Sequence, residues 1–407
     1  RMSIPTRSFI KVGLVITVSY NFAWIVRQHA KLLSAPDVTN VDHLMIRPDQ
    51  FDTTLLLNST SSAQPLSNID GGTSSHPNDP RGKSLPLHPT PNYELQQLVS
   101  SHAPQYTCAH GLIYIQDHIL PDNITHYDID PTTGQRTTTP RKIPRLLHFT
   151  SKSRCMTQAF ANNLQLWKDR IGSKYSIYIH DDTAIDKFIY QRPWMEFPEL
   201  QEVMSCITAG AAKADVWRYL MIWEYGGIYS DMDSGPNKFD VDTITAEDDA
   251  WFPLEMLGIP AQYWFAASPR HPIMYLSAKS ALGAVAWRPD ISHNNAAKTT
   301  GPGAFKTAFV YFQRLVGHES SGYVTEGLYR GVQNRTVKVV GTKEDSNEWI
   351  QRENIRGKSG NYNQMGMTHF HETRGKFRAM HSGETVGCLM QRYRMHTDVT
   401  VGWDNIV

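Results

Sequence analysis

The chain has 407 residues, a net charge of +1 and 19% charged residues, which is length for one large domain or two ordinary ones and leaves no global field to gather nucleic acid or an acidic partner. Four cysteines, Cys108, Cys155, Cys206 and Cys388, include no C-x-x-C pair. That argues against a zinc cluster or dithiol motif and leaves, in an oxidising compartment, two disulfides with three possible pairings. Aromatic residues at 11% suit a carbohydrate or nucleotide binder and equally a large aromatic-rich core.

After a short tail of residues 1–8, the span Phe9–Val26 carries a single charge, Lys11, and approaches the roughly 20 apolar residues that a bilayer-spanning helix needs. No small-residue cleavage site follows it, so the expectation is an uncleaved signal anchor, with a buried core helix as the competing reading. Arg1, Arg7 and Lys11 on one side face Arg27 and Lys31 on the other, so charge encodes orientation poorly. Residues 27–91 are rich in Ser, Thr, Pro, Gly and Asn and show no helix or strand period. Such a segment buries too little apolar surface to order itself and reads as a flexible stem before a domain at 92–407. Sequons stand at Asn58, Asn123 and Asn334, candidate glycosylation sites if the chain is secretory.

Further along, "KIPRLLHFT" predicts a buried strand, "AFANNLQLWKDRIG" a helix ended by Gly172, "YSIYIHDD" a strand and "TAIDKFIYQ" a helix. "TAGAAKADVWRYLMIWEYGG" is the longest predicted helix, with Gly226 placed to end it, and "IYS" is the next strand. This alternation predicts an α/β domain with a largely parallel sheet. Ligands on such sheets sit beyond the carboxyl ends of strands, where Asp181–Asp182 and Asp231–Asp233 fall.

Asp231 and Asp233 stand at i and i+2, so an extended chain points both to one side, where oxygen ligands suit a hard divalent cation. On the long helix Asp215, Arg218 and Tyr219 share a face. A surface ion pair there is worth only about 0.3–0.5 kcal/mol. The helix, however, runs through a two-glycine turn into the strand that carries Asp231, which puts its polar face beside the acidic pair. The stretch 317–363 is polar and loop-rich, suggesting an acceptor surface or a decoration.

"KADVWRYLMIWEYGGIYSDMDSGP" resembles the D-x-x-R-Y … GG-x-Y-x-D-x-D core of glycosyltransferase family 32, enzymes with a DXD sugar-binding region. The resemblance extends, in order, to Ile143, Pro144, His148 and Thr150 in the opening strand, to "SIYIHDD", to "WFAASPRHP", to Thr300-Gly301-Pro302 and to a closing His396 … Trp403. It implies a GT-A type, Rossmann-like single catalytic domain behind the anchor helix and stem. It further implies that Asp231 and Asp233 serve a divalent cation, Mn2+ or Mg2+, with His396 completing its shell. Asp215 and Arg218 would contact the donor sugar, and His148, Asp182, Tyr219, Gly227, Tyr229 and Trp403 would line the donor side. Thr300, Gly301 and Pro302 would shape the acceptor side. Phe149, Ser151 and His180 depart from the family's usual residues on the nucleotide side, so the base is left open.

The resemblance implies retention of anomeric configuration. Because no side chain stands out as a nucleophile, it implies a front-face displacement in which the departing diphosphate helps deprotonate the acceptor. The expected function is therefore hexosyl transfer onto a glycan in the Golgi, by a single-pass type II membrane protein with its catalytic domain lumenal. Mannose from GDP-mannose in α-1,6 linkage is favoured, with a UDP-sugar donor or a sphingolipid acceptor as alternatives. No nucleic-acid partner is expected. Two other classes compete. A phosphatase with a nucleophilic aspartate would need a later acidic pair, and only Asp248–Asp249 is available. A non-catalytic sugar- or nucleotide-binding module would not need Arg218 with an intact acidic pair.

Overall fold

The structure is a computed structural model that describes residues 107–115, 136–287 and 296–341, with shorter pieces at 95, 97–99, 118–119, 127–129, 348–352, 355 and 358–367. All of these lie in the unit Asp52–Val407. The span 9–26, the stem, Asn58, Asn123, Cys388, His396 and Trp403 lie outside the described residues. Among the described residues no helix is long and apolar enough to cross a membrane.

Strands β1 (Ile113–Tyr114), β2 (His118–Ile119), β3 (Tyr127–Ile129) and β4 (Arg136–Pro140) precede the opening strand β5 (Leu146–Thr150) and the short β6 (Cys155–Met156). Then come α1 (Gln158–Ile171), β7 (Ser176–His180), α2 (Asp182–Tyr190), α3 (Leu200–Cys206), α4 (Gly210–Tyr225) and β8 (Gly227–Ser230). The chain continues through β9 (Gly235–Pro236), β10 (Ala250–Pro253), β11 (Trp264–Ala267), α5 (Pro272–Trp287), α6 (Ala296–Thr299) and α7 (Pro302–Arg314). It closes its described part with β12 (Gly327–Arg330), β13 (Thr336–Val340), β14 (Ile350–Gln351) and α8 (Lys358–Gln364).

Among the described residues eight strands form the main sheet in the order β12-β13-β10-β11-β8-β5-β7-β2. The sheet is mixed, which corrects the expectation of a largely parallel one. Strands β7, β5 and β8 run parallel, as do β10 and β13, but β11 lies antiparallel between β8 and β10. The physical reason is the connection. Residues 254–263 join β10 to β11 with no helix between them, and a parallel neighbour needs a longer crossover. The polar, loop-rich stretch 317–363 supplies β12 and β13, an edge of this same sheet.

Residue alternation along the strands builds two different faces. Leu147, Phe149, Ile177, Ile179, Ile228, Trp251 and Trp264 join one core with Phe160, Leu164 and Trp167 of α1. On the other face Phe265 stacks with Phe252, with Phe305 of α7 and with Tyr219 of α4, and Phe252 meets Phe305 at a tilt. Helix α4 is buried nearly all round, from Val216 to Trp223, as expected for a helix enclosed by protein on every side. Its buried Asp215 and Arg218 are therefore not a surface pair.

A disulfide joins Cys108 to Cys155 across 5.5 Å between Cα atoms, and Cys206 is also disulfide-bonded. Helix α2 is capped by Asp181, whose Oδ1 accepts from the Ala184 amide at 2.9 Å, while its other oxygen stands 3.6 Å from Arg154 Nε.

Candidate active site

The chain leaves α4 through Gly226 and Gly227, with φ of +68° and +95°. Both values lie in the left-handed region that favours glycine. Space demands glycine as well. A Cβ on Gly226 would stand 2.5 Å from Pro269 Cδ, and one on Gly227 would stand 2.7 Å from the Leu146 carbonyl oxygen. The double glycine thus lets β8 start immediately beside β5, so α4 and Asp231 are joined by only a short strand.

At the end of β8 the Asp231 amide donates to the Tyr263 carbonyl at 2.8 Å, and the chain turns so that the Ser234 amide returns to the Asp231 carbonyl at 3.0 Å. The Asp231 side chain is about a third exposed. Its Oδ1 accepts from the Tyr229 hydroxyl at 2.5 Å and faces Arg218 Nη1 at 3.2 Å. Asp233 is buried, at 8% exposure.

Arg218 is the hub of the group. Nη2 lies 3.2 Å from Asp215 Oδ1, Nη1 donates to the Gln262 carbonyl at 3.0 Å, and the guanidinium sits 4.3 Å from the centre of the Tyr229 ring. Asp215 also accepts from Gln262 Nε2 at 2.9 Å and from the Thr300 hydroxyl at 2.8 Å. Burial pushes the Asp215 carboxyl above its ordinary value, against the opposing pull of Arg218. The Tyr219 hydroxyl donates to the Thr300 and Gly301 carbonyls at 3.0 and 3.2 Å, and Pro302 begins α7. Thr300, Gly301, Tyr219, Tyr229, Asp215, Arg218 and Asp231 are thus one connected group.

Other predicted residues lie elsewhere. His148 is fully buried in β5, its Nδ1 3.2 Å from His180 Nε2, and burial lowers its pKa to about 3. Asp182 is exposed in the first turn of α2, with Asp186, Lys213, Asp181 and Lys152 as its charged neighbours. Asn334 is exposed in the turn between β12 and β13, where Arg330 donates to its side-chain oxygen. Asp249 is buried and accepts from Nε and Nη2 of Arg335 at 2.7 Å each and from the Ser268 hydroxyl at 2.7 Å. This commits the second carboxylate of the downstream pair to holding β10, β11 and β13 together.

Three polar residues close to the group were not legible in sequence. Gln262 bridges Asp215 and Arg218. Glu255, buried just past β10, pairs with Arg352 at 3.1 Å, and Arg352 in turn lies 5.0 Å from the Tyr263 ring centre. Burial raises the Glu255 carboxyl, with Arg352 opposing it. The available signal was position, since a carboxylate just beyond an apolar strand end is where such sheets bind ligands.

Among the described residues no three His, Cys, Asp or Glu side chains cluster as a metal site. The donor set that is present, Asp231 and Asp233 on one turn, still fits a hard cation of the kind that takes one or two carboxylates and fills its shell with phosphate oxygens and water.

Residues 151–251 match the family described as "Glycosyltransferase sugar-binding region containing DXD motif". Among curated proteins, the inositol phosphoceramide mannosyltransferase 1 of Schizosaccharomyces pombe is 27% identical over 33% of this chain and 41% of its own. The mannosyl phosphorylinositol ceramide synthases CSH1 and SUR1 of Saccharomyces cerevisiae are 28% and 24% identical, over 29% and 40% of this chain and 31% and 40% of their own. The matches thus span less than half the length of these relatives. A solved structure, PaToxG Glycosyltransferase, aligns over 42% of this chain and 70% of its own at 16% identity with a TM-score of 0.33.

Proposed function

From residues 151–251, which match the family described as "Glycosyltransferase sugar-binding region containing DXD motif", we propose that the chain is a metal-dependent, retaining glycosyltransferase of GT-A type. The carrying observation is the buried guanidinium of Arg218 held between Asp215 and Asp231 at the end of β8. The Oδ1 of Asp231 is committed to Tyr229 and Arg218, so its Oδ2 is the oxygen turned to a ligand. Asp233 is the direct ligand of a divalent cation, Mn2+ or Mg2+. When bound, such a cation neutralises charge developing on a leaving nucleoside diphosphate. The Arg218 network fixes the direction of Asp231 before any ligand arrives, a form of preorganisation. Thr300 and Gly301, tied to Asp215 and Tyr219, border the acceptor side.

The donor we propose is GDP-mannose. Support comes from the names of the three relatives, all of which describe mannosyl transfer or mannosyl products. Those names also favour a phosphorylinositol ceramide acceptor over an N-glycan receiving an α-1,6-linked mannose. The proposed setting is the Golgi lumen, with residues 9–26 as a type II anchor and the three sequons as candidate glycosylation sites.

The test is donor hydrolysis and transfer by the full chain in detergent. GDP-mannose, UDP-glucose, UDP-galactose and UDP-N-acetylglucosamine would be compared with and without Mn2+, with phosphorylinositol ceramide and with an oligomannoside as acceptors. Asp233→Asn should abolish both transfer and metal-dependent nucleotide binding while leaving the fold intact. Full activity in Asp233→Asn would overturn the assignment of the acidic pair. Turnover of a UDP-sugar alone would overturn the donor, and transfer to the oligomannoside alone would overturn the ceramide acceptor.

A further inference from the structure

The turn that carries the acidic pair is gripped from behind by α1. Asn163 Nδ2 donates to two backbone carbonyls, Met232 at 2.9 Å and Ser234 at 2.8 Å. One helical turn later, Trp167 Nε1 donates to the same Ser234 carbonyl at 2.8 Å. The spacing of four residues places both donors on one face of the helix. Asn163 is 3% exposed and Trp167 fully buried, so these bonds form away from water, where a lost partner costs most. The Trp167 ring is itself wedged between Phe149 and Phe239, which fixes the direction of its N–H. Both clamped carbonyls belong to the immediate neighbours of Asp233. Its backbone cannot shift along the turn without breaking one of these bonds.

We infer that Asn163 and Trp167 are positioning residues for the cation, holding Asp233 in its binding geometry through the carbonyls on either side of it. This rests on the reading of Asp231 and Asp233 as the metal pair. Neither residue touches the cation or the substrate. They act as the outer groups that orient metal ligands do elsewhere, whose loss weakens metal affinity by about 10–100-fold.

The experiment is a Mn2+ titration of the full chain without donor, following the loss of the free-ion EPR signal well below each variant's unfolding temperature. Asn163→Leu keeps the side-chain volume and removes both donors, and should weaken Mn2+ binding by about tenfold or more. Trp167→Phe keeps the packed ring and removes one N–H, and should weaken it by a smaller factor. Leu164→Ala, a buried change on the same helix that removes none of the three bonds, should lower thermal stability yet leave the Mn2+ affinity unchanged. If Asn163→Leu does not fold, Trp167→Phe alone decides. Wild-type affinity in the folded clamp variants, or an equal loss in Leu164→Ala, would overturn the positioning role. A wild-type chain that binds no Mn2+ either alone or with GDP added would instead overturn the metal-pair reading, and this inference with it; if binding needs GDP, the same variants are compared with GDP present.

Discussion

Arg218→Ala is the sharpest test of the network at the end of β8. In the wild type Asp215 is buried, and among the described residues the cation paired with it is Arg218, 3.2 Å away. Deleting the guanidinium leaves Asp215, among the described residues, with two neutral donors, Gln262 and Thr300, and no paired cation. Breaking a buried pair in this way costs about 3–5 kcal/mol. Asp231, about a third exposed, is screened by water and adds little. At roughly 2–4 °C per kcal/mol, the melting temperature should fall by about 6–20 °C. The loss should also depend on pH in a definite sense. Burial already holds the folded-state Asp215 carboxyl above its ordinary 3.8, and removing Arg218 takes away the largest opposing influence. The folded variant then binds a proton that the unfolded chain releases near pH 4. Its stability therefore falls as pH rises from about 4, and the deficit against wild type should be larger at about pH 7.5 than at about pH 5. His148, buried and neutral with its pKa lowered to about 3, destabilises both proteins as pH falls below about 6.5, and this cancels in the difference. Calorimetric melting at both pH values measures the effect, and Asp215→Asn/Arg218→Ala should recover much of it. A deficit that is equal at both pH values, or a double variant as weak as the single one, would refute the reasoning.

Two further changes probe the scaffold. Burial pushes the Asp249 carboxyl up, but hydrogen bonds and charge from His271 and Arg335 overrule it and hold the group well below the carboxylate range. Its contribution is therefore present above the ordinary value near 4 and lost as pH falls. Asp249→Asn should cost about 3 kcal/mol at neutral pH and show a smaller further loss in acid, read from urea midpoints at about pH 7 and about pH 3. Gly227→Ala places a Cβ 2.7 Å from a backbone carbonyl at a φ of +95°. It should cost at least about 2 kcal/mol in thermal unfolding and weaken Mn2+ binding as β8 moves. A variant as stable as wild type would show that β5 and β8 yield there.

The sequence alone determined the local elements and the place of the acidic turn at the end of β8. Apolar runs, periodicity and glycine stops place β5, α1, β7, α2, α4 and β8, because these signals are read within a dozen residues. The positions of Asp215, Arg218, Asp231 and Asp233 follow from spacing on one helix and one strand end. Strand direction at β11 was decided only by tertiary structure, because a strand's orientation depends on the length and path of its connection and not on its own residues. The burial of His148 against His180 was decided the same way, since the alternation that reveals a strand does not say which neighbour covers each face. Gln262, Glu255 and the grip of Asn163 and Trp167 on Met232 and Ser234 join residues 44 to 71 positions apart or sit at loop ends. A hydrogen bond between a side chain and a distant carbonyl leaves no period and no motif. It exists only once the core has brought the two elements together.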